Sequence, residues 1–285
     1  MKRSATATKS GSVEPYQVLS VSSFLAIVER EKEAEIKHGN HSDFIFRGQQ
    51  CDFPLIPKIR RLRPKVHDLA KLEKLMLADF ERQMLFLTEK EPHDQWDLLA
   101  LAQHHGLPTR LLDWSFSALA ALWFCVGRGP ARTKIGDMED GVVWIFKTNV
   151  DDFVPSDAPG DPFSQKRTRI FRPRFVSRRI MAQSGLFTCH KMIGEDGFIE
   201  LAKNKEYKHR LIKVIIPGFA FSTIREQLGA SGATSLSLFP DLDGLAGFLK
   251  ERYFQDPHEL VRADVRLGKI SRSKKLIDPA SFDQD

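Results

Sequence analysis

The chain has 285 residues, 42% of them apolar and 21 of them Phe, which is enough for a real core and excludes global disorder. Its 43 Lys and Arg exceed its 37 Asp and Glu, for a formal net charge of +6, which favours acidic partners such as nucleic acid or a phosphate-bearing cofactor unless the charges are simply solvated. Three scattered cysteines, Cys51, Cys125 and Cys189, with no CxxC, make a poor disulfide framework. The first residues hold no secretory apolar segment, and no run reaches the ~18 apolar residues a membrane span needs, so a reducing, cytoplasmic setting is expected.

Residues 1–18 read as a flexible polar tail, 19–262 as one domain and 263–285 as a charged tail. A helix is expected from Ser20, with Phe24, Ile27 and Val28 on one face and Ser22 or Ser23 as its cap. The stretch SDFIFRG reads as a short strand ending at Gly48, and the Pro-rich basic run from Gln49 to Lys65 as a loop with one helical turn. Leu72, Leu75, Met76, Phe80, Met84 and Leu87 fall at helical spacing. A further helix, WDLLALAQHH, is stopped by Gly106 and Pro108, and Ser115 or Ser117 caps the apolar helix ALAALWFCV. GVVWIFK and HRLIKVIIP are β-prone, the basic stretch between them mixes turn and strand, and a helix follows over 219–228. TSLSLF reads as a short strand, and Asp241 caps a last helix. Short strands without a βαβ rhythm, no internal repeat and no linker predict a single mixed α+β domain.

Four stretches concentrate chemistry. Phe46-Arg47-Gly48-Gln49 places a guanidinium fork, suited to phosphate or carboxylate, beside a glycine that lets a ligand approach; otherwise Arg47 pairs a buried acid. Gln103 to Trp114 packs His104, His105, Thr109, Arg110, Asp113 and Trp114 around a Gly-Leu-Pro turn. The His and Trp rings offer stacking faces, and Asp113 could orient a His or a ribose hydroxyl or pair with Arg110. Arg178 to Phe187 holds Gln183 among arginines, and Leu238 to Ala246 combines a helix entry with Asp241 and Asp243. The adjacent pair His104 and His105 is a poor metal site, so no metal is expected, and no phosphate loop, GxGxxG or Gly-x-Ser-x-Gly elbow occurs.

In this order the four stretches resemble the FRG domain over roughly residues 40–250. That family is named for the Phe/Tyr-Arg-Gly found here at Phe46, Arg47 and Gly48, and its central signature is matched by Ala102 to Ser115 followed by Ala121 to Phe124. His105 stands where the family often has an aromatic. The arrangement is similar to that of ADP-ribosyltransferases. The resemblance implies a short-stranded sheet core of that type, with NAD as co-substrate and no metal. By position, Arg47 would clamp the NAD pyrophosphate, Thr109 or Ser115 would shape the nicotinamide pocket, and Gln183 would stand near the usual catalytic Glu. Arg47, His105, Asp113 and Gln183 are then the catalytic candidates. Gly48, Gln49, Gln103, His104, Thr109, Arg110, Trp114 and Ser115 join Arg47 in cofactor binding. The transferases' Glu-x-Glu has no counterpart, the nearest acids being Glu195 and Glu200. The resemblance also implies a role in antiphage defence or as a toxin, with an antitoxin partner, acting on a nucleic-acid (RNA or DNA) or protein acceptor. Two other readings stand beside it: a non-catalytic module gripping nucleic acid or nucleotide through the basic stretches 58–65 and 166–179, and a hydrolase consuming NAD through His105 and Asp113.

Overall fold

Period-two alternation along the strands puts apolar side chains on both faces of one sheet, and helices and loops cover them. The computed structural model describes residues 15–254, apart from 41, 66–67, 88–90, 135, 157–158, 175–177 and 195–196. In chain order the elements are β1 (Tyr16–Gln17), α1 (Val21–Lys37), β2 (Asp43–Gln49), α2 (Lys58–Arg61), α3 (Leu69–Met84), α4 (Gln95–His104), β3 (Leu111–Ser115) and α5 (Ala118–Val126). There follow β4 (Gly141–Thr148), β5 (Arg169–Phe171), α6 (Arg178–Ala182), β6 (Gly185–Cys189), β7 (Met192–Ile193), β8 (Gly197–Phe198), β9 (Leu211–Ile216), α7 (Phe221–Ala230), α8 (Ser235–Leu238) and α9 (Leu242–Tyr253). Seven strands form one sheet in the order β1-β9-β4-β2-β3-β6-β5, antiparallel except for β1 beside β9, while β7 and β8 make a small separate ribbon. The α+β class expected from the sequence is what the chain adopts.

Pairing across this sheet is uneven. β2 pairs with β4 from Asp43↔Thr148 to Gln49↔Val142, but with β3 only at Phe46↔Ser115. The helical cover divides at the same place. Phe44 and Phe46 of β2 with Val143 and Ile145 of β4 bury against α1, α5 and α7. On the same side, Leu111, Phe187 and Cys189 of the β3–β6 half bury against α3 and α4. The opposite face is continuous, with Ile45, Leu112, Trp114, Trp144, Phe146 and Leu186 packed under Leu55, Leu201 and Tyr207. Each such side chain contributes about 1.5–3 kcal/mol when fully buried. A seam therefore runs down the helix-covered side between β2 and β3.

Several expectations change. Tyr16–Gln17, placed in a flexible tail, is an edge strand, and Val18 N–H also donates to the Ile215 carbonyl. TSLSLF is the helix α8 and not a strand, because Thr234 and Ser237 cap each other's backbone N–H. α1 is capped by Ser20, reciprocally with Ser23, and α5 by Ser117. The tails before residue 15 and after 254, and Glu195, lie outside the described residues. No helix among the described residues is long and apolar enough to cross a membrane.

α1 is tied to the sheet by Lys147, whose ammonium lies 3.0 Å from carboxylates of both Glu31 and Glu35. Burial alone would raise both carboxyls, but hydrogen bonds from Tyr16 and Lys147 to Glu31, and from Lys147 to Glu35, leave both below their ordinary 4.5. Groups with depressed folded values stabilise above their unfolded pKa and lose that stabilisation as pH falls through the folded value. Thermal stability should therefore fall more steeply below pH 4.5 in the parent than in Lys147→Met. Parallel melting-point profiles would show that the triad contributes nothing.

Candidate functional site at the seam

Where β3 leaves β2 after one rung, its backbone loses a ladder partner, and Arg47 fills the gap. Arg47 Nη1 donates to the Asp113 carbonyl at 2.7 Å and lies 3.6 Å from the Asp113 carboxylate. Its Nε is buried with no hydrogen-bond partner among the described residues. Burial pulls the Arg47 pKa down, Asp113 opposes this, and the like charge of Arg61 adds to it. A guanidinium remains cationic throughout the physiological range. Asp113 itself is open, with 58% of its side chain exposed.

α4 ends beside this pair. Gly106, at φ +88°, takes the left-handed conformation that stops the helix. Gln103, in the last turn, donates to both carboxylate oxygens of Asp113 at 3.3 Å and accepts from the Thr109 hydroxyl at 2.8 Å. Thr109 in turn accepts from the Leu111 N–H, so the entry to β3 is fixed by the same network. His104 lies within electrostatic reach of Asp113 and Arg179. Burial, then His105 and Arg179, lower its pKa against the pull of Asp113, leaving the ring neutral at pH 7.

The later stretches close on the same place. The Ser115 hydroxyl donates to the Gln183 carbonyl at 2.6 Å, and the Gln183 carboxamide donates to the Leu238 carbonyl at 3.2 Å. Arg179 of α6 binds Asp241 at 2.5 Å and Asp243 at 3.1 Å at the start of α9. Phe239 packs its ring against Trp123 and Phe124 of α5. All four stretches singled out in the sequence thus meet at the seam through direct contacts.

Behind Arg47 lies a buried relay. Trp114 Nε1 donates to the Thr188 hydroxyl at 3.0 Å, and that hydroxyl contacts His190 Nε2 at 3.1 Å. Burial and then the charge of Arg47 push the His190 pKa down to about 3, with the Ile199 backbone opposing. His190 Nδ1 meets no partner at hydrogen-bond geometry. A neutral imidazole beside Arg47 adds no charge to compete with it.

Arg47, Gln103, Thr109 and Asp113 are linked by hydrogen bonds, His104 lies within electrostatic reach of Asp113, and the remaining candidates are held otherwise. Arg110 is buried against Glu73 and stacks on Phe163, so it neither pairs with Asp113 nor reaches a ligand. Trp114 is core, its ring packed on Phe146, and presents no open stacking face. Gln49 is buried, accepting from Trp144 Nε1 at 3.1 Å. The bare side of Gly48 faces α5 and not a ligand, since a Cβ there would stand 1.8 Å from the Ala121 carbonyl oxygen. Ser115 and Gln183 are spent on the internal hydrogen bonds above, and His105 is the exposed cap of α4. Glu200 pairs with Lys203.

Two contributors, Glu73 and His190, are not among the sequence candidates. Glu73 was findable, standing four residues from both Leu69 and Leu77 on the apolar face of α3. Arg179 lay inside a stretch already flagged. Nothing local marks His190. Two cavities, of about 440 and 420 Å³, lie elsewhere, the larger lined by Asp43, Phe153, Phe171, Arg172 and Arg174, and neither takes a wall from the seam.

The family model described as FRG domain matches residues 42–134. That range holds β2 through α5, with both Arg47 and Asp113, and stops short of Arg179, Gln183 and Asp241. No curated protein and no solved structure matches the chain.

Proposed function

Taking residues 42–134 as an FRG domain, we propose that the seam binds NAD and transfers its ADP-ribosyl group to an acceptor. The observation that carries this reading is the pairing of Arg47 with the open carboxylate of Asp113 in a gap of the sheet. The buried, unpartnered Arg47 Nε fits a phosphate oxygen, and charge-assisted forks of this kind bind phosphate strongly. Asp113, steadied by Gln103, offers acceptors for ribose hydroxyls and a negative charge near a bond whose breaking builds positive charge. When bound, NAD supplies a glycosidic bond: its C1′–N bond breaks, nicotinamide leaves with the electron pair, and an acceptor oxygen or nitrogen bonds to C1′ and loses its proton. His104, kept neutral at pH 7, is the group placed to take that proton. His105, next along the chain and exposed, is the alternative imidazole. A protein that modifies nucleic acid in its own cell needs restraint, which fits a toxin held by an antitoxin partner.

Labelled NAD incubated with the full chain and RNA, DNA or cell protein tests this directly. Arg47→Ala should bind NAD about 10- to 100-fold more weakly and transfer no label, the loss expected for a charged hydrogen-bond pair. Arg47→Lys, which keeps the charge without the fork, should fall between. Transfer by Arg47→Ala equal to the parent's rules the reading out. The electrostatic influence of Asp113 on His104 favours one second reading, in which water is the acceptor and NAD is hydrolysed. Free ADP-ribose formed without any macromolecule is its mark.

A further inference from the structure

Between residues 53 and 67 the chain carries Lys58, Arg60, Arg61, Arg63 and Lys65 and no acid. Leu55 and Ile59 anchor this connection in the core, and Pro54, Pro57 and Pro64 stiffen it, so α2 and the residues after it form a fixed ridge. All five cations are exposed. Lys58 donates to the Gly106 carbonyl at the end of α4, and the charge of Arg61 is felt by Arg47, which sets the ridge on the rim of the seam. Among the described residues, the side chains of Arg60, Arg61, Arg63 and Lys65 make no hydrogen bond or ion pair.

The second basic stretch is different. Arg167 and Arg169 donate to the Asp151 carbonyl, Arg174 to that of Ser156, and Arg179 to two aspartates. Arg172 is stacked between Phe116 and Phe153, at 4.8 and 4.4 Å. Those charges are used in folding. Among the described residues no carboxylate pairs with the cations of 60–65, and a line of phosphates supplies the missing charge. Phe53, half-exposed on the same connection, adds a face on which a base can stack.

We infer that this ridge is the docking surface for a nucleic-acid strand and, resting on the transfer reading above, that this strand is the acceptor. Binding of a labelled RNA or DNA oligonucleotide to the full chain, measured without NAD, tests the docking separately from the chemistry. The parent should bind with an affinity that falls steeply between about 50 and 200 mM salt. The triple variant R60S/R63S/K65S should bind on the order of 100-fold more weakly near 0.1 M salt. Its log–log salt slope should be shallower by about 2, three phosphate contacts at ~0.7 each. Its NAD affinity and melting point should match the parent's, because these side chains make no hydrogen bond or ion pair among the described residues. Undiminished oligonucleotide binding by the triple variant overturns the inference, as does equal binding of the parent to phosphatidylserine vesicles. Oligonucleotide binding that persists in a parent unable to capture NAD removes the transfer reading and leaves the docking surface standing.

Discussion

Glu73→Ala should destabilise the protein by about 3–5 kcal/mol, the largest effect expected of any single side-chain truncation near the seam. Glu73 is 1% exposed, and its two oxygens take three hydrogen bonds from Arg110: the backbone N–H at 2.7 Å, Nε at 2.9 Å and Nη2 at 2.7 Å. Removing it leaves a guanidinium in the core with no counter-charge, which costs far more than the pair itself contributes. The same carboxylate fixes the backbone at the first residue of the Arg110–Leu111–Leu112–Asp113 run, so the cost reaches Asp113. Urea unfolding gives the stability, and a double variant separates the causes. Glu73→Leu with Arg110→Met removes both charges and should recover most of the loss, as apolar replacements of buried pairs commonly do. A loss below ~1 kcal/mol for Glu73→Ala would mean Arg110 finds water, and the buried pair would not be what holds the turn.

Gly48→Ala should cost about 3 kcal/mol or more, despite adding one methyl group. The new Cβ would stand 1.8 Å from the Ala121 carbonyl oxygen and 2.8 Å from the Cys125 nitrogen, both main-chain atoms of α5. No rotamer relieves such a contact. α5 would have to lift, and with it Ala121, Leu122, Cys125 and Val126, all fully buried in the first core cluster. Gly106→Ala makes the control. That Cβ meets nothing within 4 Å, so only the left-handed backbone opposes it, at about 1 kcal/mol. If the two variants unfold at the same urea concentration, the close approach of α5 does not determine the identity of residue 48.

These two positions show what the sequence discloses and what it hides. Helices with a clear period, such as α3 with Leu72, Met76, Phe80 and Met84, and strands rich in β-branched residues, such as β4 and β9, are local facts and legible as such. β3 is not: LLDWS sits between two apolar helices, and only its pairing with β6 makes it a strand. TSLSLF misleads because two reciprocal hydroxyl caps outweigh the alternation of its leucines. At the site, Arg47 and Asp113 could be named from chemistry alone. The fates of Arg110, Trp114 and Gln49 depended on Glu73, Thr188 and Trp144, partners 37, 74 and 95 residues away. A glycine beside an arginine looks the same in the sequence whether a ligand or a helix occupies the space it leaves.

The lone rung between Phe46 and Ser115 leaves the middle of the sheet as its least-stitched joint, with Arg47 acting as a side-chain rivet across it. Amides flanking that joint should exchange with solvent sooner than those of the β2–β4 ladder. Any molecule gripping both the guanidinium and the carboxylate fastens one half of the fold to the other, so capture and stiffening become a single event.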